Sequence, residues 1–143
     1  ISDAGTPLIS DPGYRLVAAA AAEGIPVVPL PGPSAILTAL CASGLPTDKF
    51  LYLGFLPVKK GRQTIFQRIA ASDVTVVFYE SPHRLLKTLE QLKGFLKPGA
   101  PVVVAKELTK IYETFFRGTI DQVIKNLPPG NPKGEYVVMV HSN

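Results

Sequence analysis

Apolar positions follow two patterns along the chain, and together they predict an α/β fold. Short apolar runs rich in β-branched residues indicate strands, because such side chains suit a pleated, half-buried surface. Apolar residues spaced three and four apart indicate helices. The predicted strands are residues 26–30, 49–56, 74–79, 101–105, 112–117 and 135–141, and residues 1–2 end another. The predicted helices are residues 12–23, 35–43, 63–71, 81–96 and 120–127.

The order of these elements predicts a largely parallel sheet. Strands that alternate with helices are joined by crossover connections, and these connect parallel strands. No helix is predicted between residues 101–105 and residues 112–117, so these two strands are expected to pair antiparallel. The predicted fold class is therefore α/β with a mixed sheet.

Turn-forming residues mark where several helices begin and end. Asp11 and Pro12 are expected to begin the first helix, as its cap and its first helical residue. Ser34 and Thr119 are expected to cap two later helices. Gly44 is expected to end the helix of residues 35–43.

Residues 45–48 are predicted to connect two domains, one of residues 1–45 and one of residues 46–143. Net charge differs between them, since the first carries −2 and the second +6, which gives +4 overall. A basic second domain suits an anionic partner such as RNA, although an ordinary basic surface has the same composition.

Composition favours a soluble protein of a reducing compartment. Apolar residues make up 46% of the chain, and no apolar run approaches the ~20 residues that cross a membrane. Cys41 is the sole cysteine, which excludes an internal disulfide and fits the cytoplasm. One cysteine and two histidines do not make an ordinary zinc site, and GxSxG and Walker phosphate-loop motifs are absent. No metal and no membrane contact are expected.

The opening stretch holds the strongest candidate for a ligand site. Residues 2–7 (SDAGTP) combine small residues with a carboxylate and a hydroxyl, and Gly5 allows a ligand to approach the backbone. A helix is predicted to begin soon afterwards, where free N–H groups point outward. A loop between a strand end and a helix start commonly binds small molecules in α/β folds. A tight surface turn is the alternative.

Basic side chains form a second candidate site. Lys59, Lys60 and Arg62 lie in a short loop that contains a glycine, and such a loop contacts phosphates without reading bases. Exposed charge without function is the alternative. His83 and Arg84 lie in the first turn of a predicted helix, where the helix dipole disfavours cations, so a functional reason is more plausible there.

Seven blocks, in order along the whole chain, resemble the RsmI-type ribosomal-RNA 2′-O-ribose methyltransferases of the tetrapyrrole-methylase-like superfamily. These blocks are SDAGTPLISDPGY, VVPLPGPSA, SGLPTDKFLYLGFLP, FYESPHRL, AKELTK, RGT and KGEYVVMV. The resemblance implies S-adenosylmethionine as methyl donor, ribose of small-subunit (16S) ribosomal RNA as acceptor, and a homodimer with its site in a cleft between two α/β domains. It also implies a further βα stretch before Ile1, so the chain is expected to be a fragment.

The residue types and the resemblance together assign roles to residues in both predicted domains. The residues expected at the donor are Ser2, Asp3, Ala4, Gly5, Thr6, Pro7, Pro31, Gly32, Pro33, Ser34, Tyr79, Gly134 and Glu135. The residues expected to contact RNA are Lys59, Lys60, Arg62, His83, Arg84 and Lys110. The groups that could take the ribose proton are Glu80, Lys106, Glu107, Lys110 and Glu113, and the first three are assigned as catalytic.

Two other functions stay open at this point. A tetrapyrrole C-methyltransferase belongs to the same superfamily, but its first loop usually contains GDP where this chain has Gly5-Thr6-Pro7. The second open possibility is a non-catalytic fragment that only dimerises and binds RNA. Titration with S-adenosylmethionine separates an active enzyme from an inert module.

Overall fold

A computed structural model describes residues 5–130 and 133–142, so the predicted strand of residues 1–2 lies outside the described residues. The helices are α1 (Tyr14–Ala22), α2 (Ala35–Ser43), α3 (Arg62–Ala70), α4 (Pro82–Lys93) and α5 (Ile120–Asn126). The strands are β1 (Phe50–Phe55), β2 (Thr75–Glu80), β3 (Pro101–Lys106), β4 (Thr114–Thr119) and β5 (Tyr136–Val140). The chain forms two compact units, of which unit 1 extends to Ala35 and unit 2 begins at Ile36.

The sheet of unit 2 has the strand order β1-β2-β5-β3-β4. Only β1 and β2 pair in parallel, whereas β2–β5, β3–β5 and β3–β4 are antiparallel. The expectation of largely parallel pairing is therefore wrong, although the mixed α/β class is confirmed. The crossovers through α3 and α4 do give β1, β2 and β3 one common direction. However, β5 enters between β2 and β3, and all five of its residues are buried.

Both faces of this sheet are covered by helices. On one face α3, α4 and α5 contribute Phe66, Leu89 and Val123 to a core that includes Val138 of β5. On the other face α2 packs against residues such as Val103 and Met139. Alternate residues of one strand serve opposite cores, as the period of a β-strand requires. Unit 2 is therefore a three-layer arrangement of helix, sheet and helices.

Helix α2 belongs with the sheet. Its buried residues Ile36, Ala39 and Leu40 pack with Val77 of β2 and Val103 of β3. Unit 1 extends to Ala35 and unit 2 begins at Ile36, while the division into domains of residues 1–45 and 46–143 stays a prediction. The buried face of this helix explains why its residues group with the sheet of unit 2.

Several predicted helix ends are confirmed and one is wrong. Thr119 caps α5, because its Oγ1 accepts from Gln122 N at 3.4 Å and Gln122 Oε1 accepts from Thr119 N at 2.8 Å. Gly44, with a φ of 81°, follows the last residue of α2 as expected. Asp11 and Pro12 do not begin α1, since Gly13 is the N-cap and no side chain caps this helix.

The predicted strand at residues 26–30 does not form. A strand needs a partner for its N–H and C=O groups, and no described residue of the chain pairs with this segment. Val28 is consequently 77% exposed. Among the described residues no helix is long and apolar enough to cross a membrane.

Candidate functional site

Two loop segments of unit 1 lie against each other. We call them the first and the second turn; the first comprises residues 5–7, and the second comprises residues 31–34, which have no regular secondary structure. Thr6 Oγ1 donates a hydrogen bond to the Pro33 carbonyl at 2.9 Å. Gly5 has a φ of 75°, and a β-carbon on it would lie 3.5 Å from the same carbonyl. The structure thus brings together two turns that lie 27 residues apart in sequence.

The described part of this turn pair is open to a ligand. Gly5, Pro7, Gly32 and Pro33 are all exposed, and Thr6 is half-buried. A left-handed glycine beside a neighbouring carbonyl allows the backbone to approach another molecule closely. Ser2, Asp3 and Ala4, which were expected at the donor, lie outside the described residues, whereas Pro31 and Ser34 belong to the second turn.

The other predicted site residues of unit 2 gather at one edge of its sheet. The ends of β1, β2 and β3 lie at this edge, which we call the carboxyl edge. Because β5 runs in the opposite direction, the turn of residues 133–135 that precedes it lies at the same edge. Open α/β sheets bind ligands beyond the carboxyl ends of their strands.

Tyr79 forms an aromatic group at this edge. Its ring lies 5.6 Å from Tyr52 in an edge-to-face arrangement and 5.4 Å from Phe55, between ring centroids. Burial, together with the charge and hydrogen bond of Tyr52, raises the pKa of Tyr79 to about 12, although a hydrogen bond with the Ile36 backbone opposes this. The hydroxyl therefore stays protonated at neutral pH.

Glu107 joins β3 to the turn that precedes β5. Its Oε1 accepts from Glu135 N at 2.9 Å and from Lys110 Nζ at 3.2 Å, and its own N–H donates to the Glu135 carbonyl at 3.0 Å. Lys110 Nζ also lies 3.3 Å from Glu135 Oε2. We call these three residues the Glu107 cluster. Glu107 has a φ of 51°, a strained conformation for a non-glycine residue.

These contacts shift two pKa values in opposite directions. The hydrogen bond from the Glu135 backbone, and then Lys110, lower the pKa of Glu107. The hydrogen bond with Glu107, and then Glu135, raise the pKa of Lys110. Both groups are thus charged at neutral pH, and a carboxylate with a lowered pKa is a weak proton acceptor.

Gly134 is required by the packing of the chain itself. Its φ is 132°, and a β-carbon there would lie 3.1 Å from both Cγ and Oε1 of Glu107. A side chain at this position would therefore displace Glu107. Contact of Gly134 with a donor stays a prediction.

Glu80 is buried in a hydrogen-bond network of the fold. Its Oε1 accepts from Ser81 N at 2.9 Å and lies 3.3 Å from Arg84 Nε. Its Oε2 accepts from Thr88 Oγ1 at 2.7 Å. Since its side chain is fully buried and both oxygens are bonded, this geometry argues against Glu80 as the group that takes the ribose proton.

Arg62 belongs to the same network. Its Nη2 donates to Thr88 Oγ1 at 2.6 Å, its Nε to Gln91 Oε1 at 2.8 Å and its Nη1 to the Pro57 carbonyl at 2.9 Å. Its guanidinium lies 4.8 Å from the ring centroid of Phe66. Only 9% of Arg62 is exposed, so this arrangement argues against the predicted contact with RNA. Burial, followed by repulsion from Arg84, lowers its pKa.

The remaining basic candidates are accessible to different degrees. Lys59, Lys60 and His83 are exposed, and Lys106 is half-buried at the carboxyl edge. Arg84 is half-buried, and its Nη2 donates to the Leu56 carbonyl at 2.7 Å in addition to its contact with Glu80.

The family model of the tetrapyrrole (corrin/porphyrin) methylases matches residues 1–124. This chain belongs to the tetrapyrrole methylase family. The matched residues include both turns of unit 1 and every strand of the sheet except β5.

Several relatives share one name. The chain is 50% identical over 143 residues to ribosomal RNA small subunit methyltransferase I of Haemophilus influenzae, covering 98% of this chain and 50% of that protein. It is 47% identical over 141 residues to the protein of that name from Synechocystis, with 98% and 50% covered. The chain thus spans about half the length of these relatives. The resemblance to the RNA-modifying branch is confirmed.

Solved structures show the same fold. The methyltransferase CobJ superposes with a TM-score of 0.65 at 23% identity, covering 96% of this methylase chain and 62% of CobJ. Uroporphyrin-III C-methyltransferase from Thermus thermophilus, solved with S-adenyl homocysteine, gives a TM-score of 0.59 at 17% identity, covering 94% and 62%. The predicted tetrapyrrole methylase-like fold class is confirmed.

Two residues of α4 that the sequence did not single out belong to the buried network, Thr88 as a partner of Glu80 and Gln91 as a partner of Arg62. Thr88 and Gln91 follow Arg84 by four and seven residues, so all three share one face of α4. Polar residues at helical spacing among the leucines of α4 were a signal that could have revealed a buried network. Arg84 and Arg62 were instead expected to contact RNA.

Proposed function

We propose that this methylase transfers a methyl group from S-adenosylmethionine to a ribose 2′-hydroxyl of small-subunit ribosomal RNA. The observation that carries the proposal is the pair of turns in unit 1, which offers a glycine-lined, exposed backbone for a small ligand. The names of the relatives, at 46–50% identity, supply the substrate class.

The turn pair fits the donor. Gly5 and Gly32 carry no side chain where a ligand would approach, and the Thr6–Pro33 hydrogen bond holds the two turns at a fixed separation. When bound, S-adenosylmethionine supplies a methyl carbon that its sulfonium already activates. The task of the turns is then to hold the donor in one orientation, and alignment of this kind lowers a barrier by up to ~7–11 kcal/mol.

We propose that the carboxyl edge orients the ribose. Tyr79, which stays protonated, is a hydrogen-bond donor there. Glu107 is ionised and can accept a hydrogen bond from the 2′-hydroxyl. Lys106 is the other candidate for accepting the ribose proton. Glu80 is assigned to the buried hydrogen-bond network of the fold.

Exposed cations in unit 2 are proposed to hold the RNA backbone. Lys59 and Lys60 follow β1, and Lys110 follows β3. His83 is exposed at the start of α4, shortly after the end of β2 at Glu80. Contacts of this kind position RNA without reading its sequence.

The RNA branch is favoured over the tetrapyrrole branch by similarity. The relatives named ribosomal RNA methyltransferases are 46–50% identical, whereas the structures of tetrapyrrole methyltransferases are 16–23% identical. A cytoplasmic location and a homodimer are part of the proposal. Light scattering of the purified protein in solution tests the dimer.

Transfer of a radiolabelled methyl group tests the function directly. The protein is incubated with labelled S-adenosylmethionine and either small ribosomal subunits or free 16S RNA. A 2′-O-methyl group blocks alkaline cleavage of the adjacent phosphodiester bond, so the label should appear in alkali-resistant dinucleotides. Label in a base, or in uroporphyrinogen but not in RNA, would refute the proposal.

A further inference from the structure

Strand β1 contains a bulge just before it ends. Tyr52 pairs with Val77 and Phe55 pairs with Tyr79, so three steps along β1 match two along β2. Gly54 lies inside this interval and has a φ of 63°. An extra residue with a left-handed glycine is the signature of a β-bulge, and bulges redirect the side chains that follow.

The bulge moves Phe55 to the opposite face of the sheet. Leu51 and Leu53 pack against the core of α3, α4 and α5, whereas Tyr52 lies on the α2 side. Regular alternation would place Phe55 with the two leucines. Instead its ring packs on Tyr79 and remains 60% exposed. The bulge therefore presents an aromatic ring at the carboxyl edge rather than burying it.

The backbone after Phe55 is held from inside. Leu56 is buried, and its carbonyl accepts the 2.7 Å hydrogen bond from Arg84. The next carbonyl, of Pro57, accepts the 2.9 Å bond from Arg62. These two arginines fix the direction in which the chain leaves the sheet and enters the loop with Lys59 and Lys60.

We propose that Phe55 is a stacking platform for an unpaired base of single-stranded RNA, with Lys59 and Lys60 on the adjoining phosphates. This inference rests on the proposed function, because it takes RNA as the substrate. Unpaired bases stack on exposed aromatic rings, and neighbouring lysines neutralise the backbone. A phenyl ring offers no hydrogen bond, so the platform accepts any base.

Charge decides between RNA and a protein as the occupant. An aromatic ring beside Val58 alone would suit an apolar partner, since Val58 is also exposed. The two lysines that follow carry exposed positive charge, and no described acidic residue forms an ion pair with either of them. A polyanion that also has stacking faces satisfies both features.

The test uses a single-stranded oligoribonucleotide that contains 2-aminopurine, whose fluorescence falls on stacking. Phe55→Ala should weaken binding about 5- to 100-fold and abolish the fluorescence change, in line with the loss of one stacked base. Phe55→Trp should restore both. Phe50→Ala is the matched control, because Phe50 lies at the other end of the same strand and is 41% exposed. It should bind as the unaltered protein does.

Changing Lys59 and Lys60 to alanine should leave the fluorescence change but reduce the salt dependence of binding, by roughly 0.7 per lost phosphate contact. Equal affinity and fluorescence in Phe55→Ala and the unaltered protein would overturn the inference. The inference would also be overturned if Phe55→Ala changed only the oligomeric state, because the ring would then be covered by a second copy of the chain rather than by RNA. Methyl transfer to RNA by the unaltered protein, measured in parallel, separates this failure from failure of the proposed function.

Discussion

The two compact units of this chain differ in what stabilises each of them. Unit 2 buries apolar residues on both faces of a five-stranded sheet, and Val76, Val77 and Phe78 of β2 have no exposed surface. In unit 1, helix α1 has no buried residue. Leu16 of this helix is 74% exposed, and Val28 and Leu30 are exposed too.

The difference shows that the two turns of unit 1 and the core of unit 2 obey separate requirements. The turns of unit 1 depend on backbone conformation and on hydrogen bonds such as that from Thr6 to Pro33. Unit 2 depends on burial, which contributes about 25 cal/mol per Å² of apolar surface. Substitutions in the first should therefore change binding, and substitutions in the second should change stability.

Glu80→Ala should produce the largest loss of stability. It removes the acceptor of Thr88 and the partner of Arg84 inside unit 2, and breaking a buried pair of this kind costs about 3–5 kcal/mol. Urea unfolding measures it. Glu90→Ala, at an exposed position of α4, the helix that carries Thr88 and Arg84, is the control and should change the free energy of unfolding by less than about 0.5 kcal/mol. Similar free energies of unfolding for the two variants would contradict a stabilising role for the buried network of Glu80.

Leu40→Ala and Leu16→Ala compare the units directly. Leu40 is buried in α2, and its truncation should cost about 2–5 kcal/mol through lost burial and a cavity. Truncation of the exposed Leu16 should lower the free energy of unfolding by less than about 0.5 kcal/mol. Thermal unfolding of both variants measures this difference. If Leu16→Ala lowers stability as much as Leu40→Ala, unit 1 has a core of its own or shares one.

Local features of the sequence were sufficient for much of the fold. The helix of residues 35–43 has the predicted bounds, and Thr119 caps α5 as expected. Both follow from side chains within a few residues of each other. The antiparallel β3–β4 pair also followed from local spacing, because no helix intervenes.

Features that depend on distant partners could not be predicted. The position of β5 between β2 and β3 depends on pairing across the sheet rather than on its own residues. The burial of Glu80 depends on contacts with α4, such as that of Thr88, and the residues of β2 alone do not indicate them. The exposure of Phe55 depends on the register with β2 and on the φ of Gly54. In the candidate site, the sequence therefore indicated the turns but not which charged residues serve the fold.

Gly5→Val should weaken the binding of S-adenosylmethionine at least ~10-fold, which is about 1.4 kcal/mol. A branched side chain is strained at this φ and would approach the Pro33 carbonyl. Gly24→Val is the matched control, since Gly24 also has a positive φ but has no atom within 4 Å of an added β-carbon. Both variants carry the backbone strain, so calorimetric titration should show the loss of affinity only for Gly5→Val. Equal losses would assign the effect to strain in unit 1 as a whole.

The Glu107 cluster is an exposed part of unit 2, and it should show a small dependence of stability on pH. Because the pKa of Glu107 is lowered in the folded state, its contribution is present above the ordinary glutamate pKa and is lost as pH falls through the folded value. Because the pKa of Lys110 is raised, its contribution is present below the ordinary lysine pKa and is lost as pH rises through the folded value.

Urea midpoints measured from pH 3 to pH 11 separate the two contributions of the Glu107 cluster. Glu107→Gln should lower the midpoint at pH 7, and the difference from the unaltered protein should shrink as the solution becomes acidic. Lys110→Met should remove the alkaline loss but keep most of the acid loss, because the backbone N–H of Glu135 is the main cause of the lowered Glu107 pKa. If Lys110→Met removes the acid loss as well, the ion pair rather than the turn before β5 stabilises the carboxylate.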